Sequence, residues 1–245
     1  MKLTVVGFWG GYPGAGEATT GYLLQHEGFN LLIDCGSAVL SQLQYYIAPT
    51  DLDAVIVSHY HNDHVADIGP LHFARLVQSY LHDDPLPVLP IYGHQEAPKS
   101  FKQLDFHNIA QAVPYDIQKP LDIGPFHFDF IKTKHPVPCA AMRITDGSSV
   151  LVFTADTAYF NDLVPFAQDA DLLISECNFY KGQDGAKAGH MTSEEAGQLA
   201  EKSEAKQLLL THLPHYGEHQ NLVVEATDVY HGTIALAASG WTWEF

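Results

Sequence analysis

Cysteine is scarce in this chain: Cys35, Cys139 and Cys177 are the only three, and no C-x-x-C spacing joins them. An odd, scattered set builds neither a disulfide framework nor a thiolate zinc site, so a reducing cytoplasm is the expected compartment. Positive charge is scarce as well. Twelve lysines and arginines against 29 aspartates and glutamates leave a net charge of −17, which repels phosphate backbones and disfavours broad nucleic-acid binding. No run reaches the roughly 18 apolar residues of a membrane span. The opening "MKLTVVGFWGGYPG" is too short in its apolar part and too broken by glycine for a signal peptide, so neither export nor membrane insertion is expected. No linker, charge block or low-complexity segment divides the 245 residues, so 1–245 reads as a single domain, whose 46% hydrophobic content supports a full core.

Histidine, by contrast, is abundant: fifteen outnumber the lysines and arginines together, a composition that hints at metal ligation. β-rich runs open the chain in "KLTVVGF", "TTGYLLQHE" and "FNLLIDCG", the last two meeting at "EGFN", which has hairpin chemistry. "DAVIVS" follows as a buried strand and "VADIGPLHFARLVQSYL" as a helix. "VLPIY" leads to an expected helix from about Gln95 to Phe106. Strands are then expected at "FHFDFIKTKH", "CAAMRIT", "SSVLVFTAD", "DLLISEC" and "KQLLLTH", with helices at "TSEEAGQLAEKSEA" and near Gln220 to Tyr230. Sheet then helix, twice over, predicts an α/β chain of two similar halves with no countable sequence repeat. Thr192 and Glu195 match the S/T-x-x-E capping box, which marks the start of the first of those late helices.

"SHYHNDH", Ser58 to His64, places three histidines and an aspartate in seven positions, just past a buried strand. In an extended segment His59 and His61 project to one side and serve one ion, while the adjacent Asp63 and His64 diverge and reach a second. Each ion then needs ligands from other strand ends, because loops at the C-terminal edge of an α/β sheet collect sites. Three residues qualify: His135 after "FHFDFIKTK" and before Pro136, Asp156 after "VLVFTA", and His212 after "KQLLLT".

With its H-x-H-x-D-H motif followed in order by His, Asp and His, the whole chain resembles the metallo-β-lactamase superfamily of dinuclear hydrolases. The resemblance implies a four-layer αβ/βα sandwich, with His59, His61 and His135 on one ion, Asp63, His64 and His212 on the other, and Asp156 bridging. Zinc suits these donors best, with manganese or iron as alternatives. "TADT" around Asp156, "SECN" with Glu176 and "GHMTSEEAG" with His190 look most like the ribonuclease Z and phosphodiesterase branch. His190 would then stabilise the transition state or protonate the leaving oxygen, and Asp63 would orient or deprotonate the nucleophile. Departures are visible: Ala155 replaces the usual glycine, Met191 and Cys177 alter the secondary motifs, and "THLPHY" lacks the ribonuclease's arginine. Ribonuclease Z proteins that carry an RNA-gripping arm place it between the positions matching His135 and Asp156, here only 21 residues apart.

The expectation is a hydrolase that cleaves a small phosphodiester, such as a nucleotide, with a metal-bound hydroxide. The alternatives are an RNA 3′-end nuclease, a thioester or lactone hydrolase, and a metal-binding protein without catalysis; a homo-oligomer stays open. Among the other histidines, His127 is a formal rival to His135, His94 is read as a pocket-lining or solvated helix-start residue, and His215 and His219 are possible substrate contacts. His26, His72, His82, His107 and His231 are assigned surface or packing roles, and Tyr216 a loop position. The cysteines are expected to be small buried residues. "GGYPGAGEATT" lacks the context of a phosphate-binding loop and is expected to be a flexible rim loop or lid.

Overall fold

A computed structural model describes residues 1–81 and 85–245; His82 lies outside them. Its strands are β1 (Lys2–Gly7), β2 (Gly21–His26), β3 (Phe29–Ile33), β4 (Ala54–Ile56), β5 (Leu89–His94), β6 (Ala110–Tyr115), β7 (Leu121–Ile123), β8 (Phe126–Lys132), β9 (Ala140–Thr145), β10 (Val150–Phe153), β11 (Leu172–Glu176), β12 (Gln207–Thr211), β13 (Thr233–Leu236) and β14 (Thr242–Glu244). The helices are α1 (Val39–Leu43), α2 (Asn62–Val65), α3 (Ile68–Ser79), α4 (Pro98–Phe101), α5 (Leu163–Phe166), α6 (Ser193–Lys202) and α7 (His219–Thr227). No helix among the described residues is long and apolar enough to cross a membrane.

The chain divides into two compact units, residues 1–116 with 238–245 and residues 117–237. The first holds a sheet ordered β14-β1-β2-β3-β4-β5-β6, the second one ordered β13-β12-β11-β10-β9-β8-β7. Each sheet has the same grammar. Pairings are antiparallel from β14 to β3 and parallel from β3 to β6; they are antiparallel from β7 to β10 and parallel from β10 to β13. Parallel strands are covered on both faces, which is why "AVI" in β4 and "LLISE" in β11 are buried at every position. The β2–β3 hairpin turns through Glu27 and Gly28, both at positive φ, as the "EGFN" reading expects.

In the first unit, α3 buries Ile68, Leu71, His72 and Arg75, the i, i+3, i+4, i+7 pattern of an amphipathic helix. Ile68 and Leu71 join a core that includes Leu23, Leu32, Val55 and Ile91. Arg75 is buried for a specific reason. Its guanidinium donates to the carbonyls of Pro49 (3.0 Å), Thr50 (3.1 Å) and Pro87 (2.7 Å), so one fixed fork ties two irregular segments to the helix. The expected helix from Gln95 to Phe106 is shorter: α4 is one turn, a 3₁₀ turn covers Lys102–Leu104, and Pro98 is at its N-terminal end. In the second unit, α6 starts with the capping box: Glu195 N donates to Thr192 Oγ1 (3.2 Å), and Thr192 N to Glu195 Oε2 (2.9 Å).

The exit of β3 grips the histidine-bearing turn. Cys35 N donates to His64 O (2.8 Å) and Asp67 N to Cys35 O (3.1 Å). Gly36 sits so close that a Cβ there would fall on the Asp63 carbonyl oxygen and on Thr19 Oγ1. The first is a backbone atom and the second belongs to a buried, stiff β-branched side chain, so neither yields easily. Gly36→Ala is therefore expected to cost about 2–3 kcal/mol through overpacking, read as a lower urea midpoint at unchanged slope; wild-type stability would refute the close approach.

Candidate functional site

In the first unit, β4 ends at Ile56, and the chain bends at Ser58 and is extended at His61 (φ −65°, ψ 149°) before turning into α2. The segment before α2 supplies His59 and His61 and the helical turn supplies Asp63 and His64. His59 and His61 offer donor atoms within 4.8 Å of one another, as do Asp63 and His64. The His59 ring packs 4.8 Å from that of His61 and 4.1 Å from that of His64.

Asp34 organises this half. It directly follows β3, is fully buried, and has a left-handed backbone (φ 57°) of the kind aspartate tolerates better than most residues. Its Oδ1 accepts from Ser58 N (2.7 Å), and its Oδ2 from Ser58 Oγ (2.8 Å) and His64 Nδ1 (2.7 Å). Because Ser58 gives its hydroxyl proton to Asp34, its oxygen accepts from His59 Nδ1 at 3.1 Å. One carboxylate thus puts the protons of both imidazoles on Nδ1 and turns both Nε2 lone pairs outward, the carboxylate–histidine arrangement that supports metal ligation. Sequence reasoning missed this role, although Asp34 shows the strand-end signal used for Asp156. Asp63 is anchored differently, its Oδ2 accepting from Gly11 N at 2.8 Å.

That contact corrects the reading of "GGYPGAGEATT" as a flexible lid. The loop is pinned by Trp9 Nε1 donating to Glu17 (2.6 Å), by Phe8 N and Trp9 N donating to Ala18 O, and by Gly11 on Asp63.

In the second unit, His135, Asp156 and His212 come together. Asp156 Oδ2 lies 3.8 Å from His135 Nε2 and 3.4 Å from His212 Nε2. His135 Nδ1 donates to the Gly189 carbonyl (3.1 Å), which leaves its Nε2 as a donor to a cation. The Asn178 amide donates to the His212 carbonyl at 2.9 Å, fixing that residue at the end of β12. Ala155 and His212 adopt positive φ, 48° and 52°. Strain of this kind persists where surrounding structure enforces it, and it explains why glycine is the usual occupant of the position that Ala155 fills.

His190 stands beside these side chains, its ring 5.3 Å from that of His135 and stacked 5.2 Å from that of His212. Its Nδ1 donates to Glu176 Oε1 at 2.8 Å, and Glu176, fully buried at the end of β11, also accepts from Thr157 N (2.8 Å) and Met191 N (3.1 Å). Glu176, His190 and His212 offer donor atoms within 4.8 Å. Since Glu176 is engaged by three donors, it serves as the orienting partner of His190.

The remaining candidates each hold other contacts. His127 is exposed and bonded to Asp122 (2.6 Å). His94 is buried rather than solvated, with its ring against Tyr60 and Tyr115. His219 donates to the Pro214 carbonyl (2.6 Å), and Tyr216 OH to Gln183 (2.8 Å). All three cysteines are buried and free of disulfides. Burial, reinforced by nearby carboxylates, pushes the Cys35 and Cys177 thiols well above their ordinary pKa, which rules out ready thiolate nucleophiles.

The β-lactamase superfamily domain matches residues 29–213. A probable metallo-hydrolase of Bacillus subtilis, YhfI, is 54% identical over 244 residues, covering 100% of both chains, and its crystal structure superposes with a TM-score of 0.95 over 99% of this chain and 98% of the other. A ribonuclease Z of Haloferax volcanii is 25% identical over 98% of this chain and 93% of its own. A diphosphatase of the PhnP family, 19% identical, shares the fold with a TM-score of 0.78 over 100% of this chain and 97% of its own. A matched domain spanning most of the chain, a near-identical fold and a donor set of imidazoles and carboxylates converge: this chain belongs to the β-lactamase superfamily and has the metallo-β-lactamase fold.

Proposed function

We propose that the chain is a dinuclear metal-dependent hydrolase of small phosphodiesters. His59, His61 and His135 would hold one ion, Asp63, His64 and His212 the other, with Asp156 shared. The donor set fits: imidazoles, those of His59, His64 and His135 held through Nδ1, together with aspartate carboxylates suit divalent zinc, and the same donors accept manganese or iron. When bound, the ions supply Lewis acidity toward water and toward a phosphoryl oxygen.

The remaining work belongs to the protein. Asp63, its Oδ2 fixed by the Gly11 N–H, is placed to orient the attacking water and take its proton. His190 is the residue that favours a phosphate ester over acyl substrates such as thioesters and lactones. The observation that carries the reading is the buried Glu176 carboxylate on His190 Nδ1, because it orients the ring and stabilises its protonated form, leaving an Nε2–H to give to the departing oxygen.

RNA 3′-end processing is the second reading, favoured by the likeness to ribonuclease Z. Against it, β9, β10 and their connecting residues 146–149 occupy the interval in which an RNA-gripping arm would be inserted, and the net charge of −17 opposes a polyanion.

Zinc-loaded or manganese-loaded protein is expected to hydrolyse bis(p-nitrophenyl) phosphate, and Asp63→Asn to abolish that turnover in initial-rate assays. No turnover from metal-loaded wild type would reject the diesterase reading in favour of thioester or lactone hydrolysis or a binding role. Glu176→Gln is expected to lower kcat about a hundredfold while zinc stoichiometry stays at the wild-type value; unchanged kcat would remove His190 from the chemistry. Asp34→Asn should weaken zinc binding about 10–100-fold in chelator competition, and unaltered affinity would show that Asp34 does not hold the ligands.

A further inference from the structure

The histidine-bearing segment has two faces, and the donor cluster uses one of them. The His59 ring packs on those of His61 and His64. Tyr60 turns to the other side: its hydroxyl donates to the His94 carbonyl (2.7 Å), and a Cβ on Gly93 would fall on that hydroxyl. Behind this second face lies a cavity of about 300 Å³. Tyr60, Asn62 and the α3 residue Ile68 wall it on one side, and Ser100 of α4 with Gln103 and Leu104 of the 3₁₀ turn on the other. No lysine, arginine, histidine, aspartate or glutamate is among the described residues that line it, so a charged occupant would shed its water with no counter-charge to meet. What does line it is two carboxamides and a hydroxyl. Among the described residues, the side chains of Asn62, Ser100 and Gln103 find no hydrogen-bond partner in the protein. Asn62 and Gln103 are exposed and Ser100 half-buried, which leaves all three open to a ligand.

We propose that this cavity binds an uncharged nucleobase, a flat ring carrying an amino group beside a ring nitrogen, at a site separate from the donor cluster. A carboxamide presents an N–H donor and a carbonyl acceptor side by side, the pair that matches an amino group next to a ring nitrogen. Asn62 and Gln103 supply two such pairs from the two walls. Tyr60, Ile68 and Leu104 add the aromatic and aliphatic surface on which a flat ring rests. Size agrees with chemistry. The volume lies at the lower end of the range of about 300–1,000 Å³ that small-molecule sites occupy, which suits one fused ring system and excludes a peptide strand or a polynucleotide. The walls are preset, because Tyr60 is held by the His94 carbonyl and Leu104 and Ile68 belong to the buried core. Asn62 is the first residue of α2, the turn that continues into Asp63 and His64, so an occupant bonded to its amide steadies the backbone that carries those two side chains. Neither a metal nor a reaction is needed for that contact, which separates it from the hydrolase reading.

The test is isothermal titration calorimetry of the full chain with adenine, run on the protein as purified and again after its metal is removed. Adenine is expected to bind both forms with a dissociation constant of about 0.1 mM, and purine, which lacks the amino group, about tenfold more weakly. Asn62→Ala and Gln103→Ala are each expected to weaken adenine binding about tenfold. Neither side chain is bonded within the protein, so the circular dichroism spectrum and the melting midpoint of each variant should be those of wild type. As a second measurement, adenine is expected to slow amide hydrogen exchange severalfold across residues 62–66. Absence of binding at millimolar adenine, equal affinity for adenine and purine, or wild-type affinity in both variants would overturn the proposal. Binding that disappears with the metal would overturn it too and place the base on the donor cluster, as would protection that leaves residues 62–66 unchanged.

Discussion

The hydrogen bond from His64 to Asp34 is the constraint on which the rest of the histidine cluster depends. A fully buried carboxylate is costly unless every lone pair is used, and here the cost is met by Ser58 N, Ser58 Oγ and His64 Nδ1. The compensation is also the device. Satisfying Asp34 fixes the tautomer of His64 directly and that of His59 through Ser58, so the groups that make the carboxylate tolerable are those that aim the two imidazoles. The Gly36 approach to Asp63 O and the Cys35 bond to His64 O then lock the α2 turn onto the same segment. Three consecutive residues at one strand end, Asp34 to Gly36, thus hold the position of His59, Asp63 and His64.

The second unit solves the same problem with the same parts. Its parallel strands β10, β11 and β12 end on Asp156, Glu176 and His212, as β3, β4 and β5 end on Asp34, the histidine cluster and His94. A buried acid orients an imidazole through Nδ1 in each unit: Asp34 with His64, and Glu176 with His190. What differs is the use. Asp34 serves a histidine read as a ligand, and Glu176 one read as a proton donor, so a single local geometry supports both roles once the strand ends are fixed. The positive φ values at Asp34, Ala155 and His212 mark where the backbone leaves its strand by a left-handed step that few side chains favour.

Much of this was legible in the sequence, and the reason is periodicity. β4, β10, β11 and β12 are short apolar runs with polar residues just past their ends, so strand and strand-end ligand are read together. The α6 start was legible because a capping box is a local code. What escaped was non-local. Nothing near Asp34 in sequence shows that its partners lie 24 and 30 residues on, and nothing near Gly11 shows that its N–H anchors Asp63 across 52 residues, which is why a pinned loop read as a lid. His94 read as either pocket-lining or a solvated helix start because helical residues were expected after it, whereas Pro98 sits at the head of a one-turn α4 and the histidine packs inward between two tyrosines.

The acidic surface and the proposed chemistry are compatible only for small substrates. Electrostatic repulsion by a chain of net charge −17 grows with the number of phosphates brought to it, while the attraction of a buried cationic centre is felt by the one phosphate that reaches it. A diester with a single negative charge meets the repulsion once and collects the whole attraction. A long RNA meets it at every phosphate along the surface and collects the attraction at one. The same charge therefore biases the site by substrate length without any contact that reads sequence, and the bias weakens as added salt screens the surface charges, whose reach is about 10 Å at 0.1 M ionic strength.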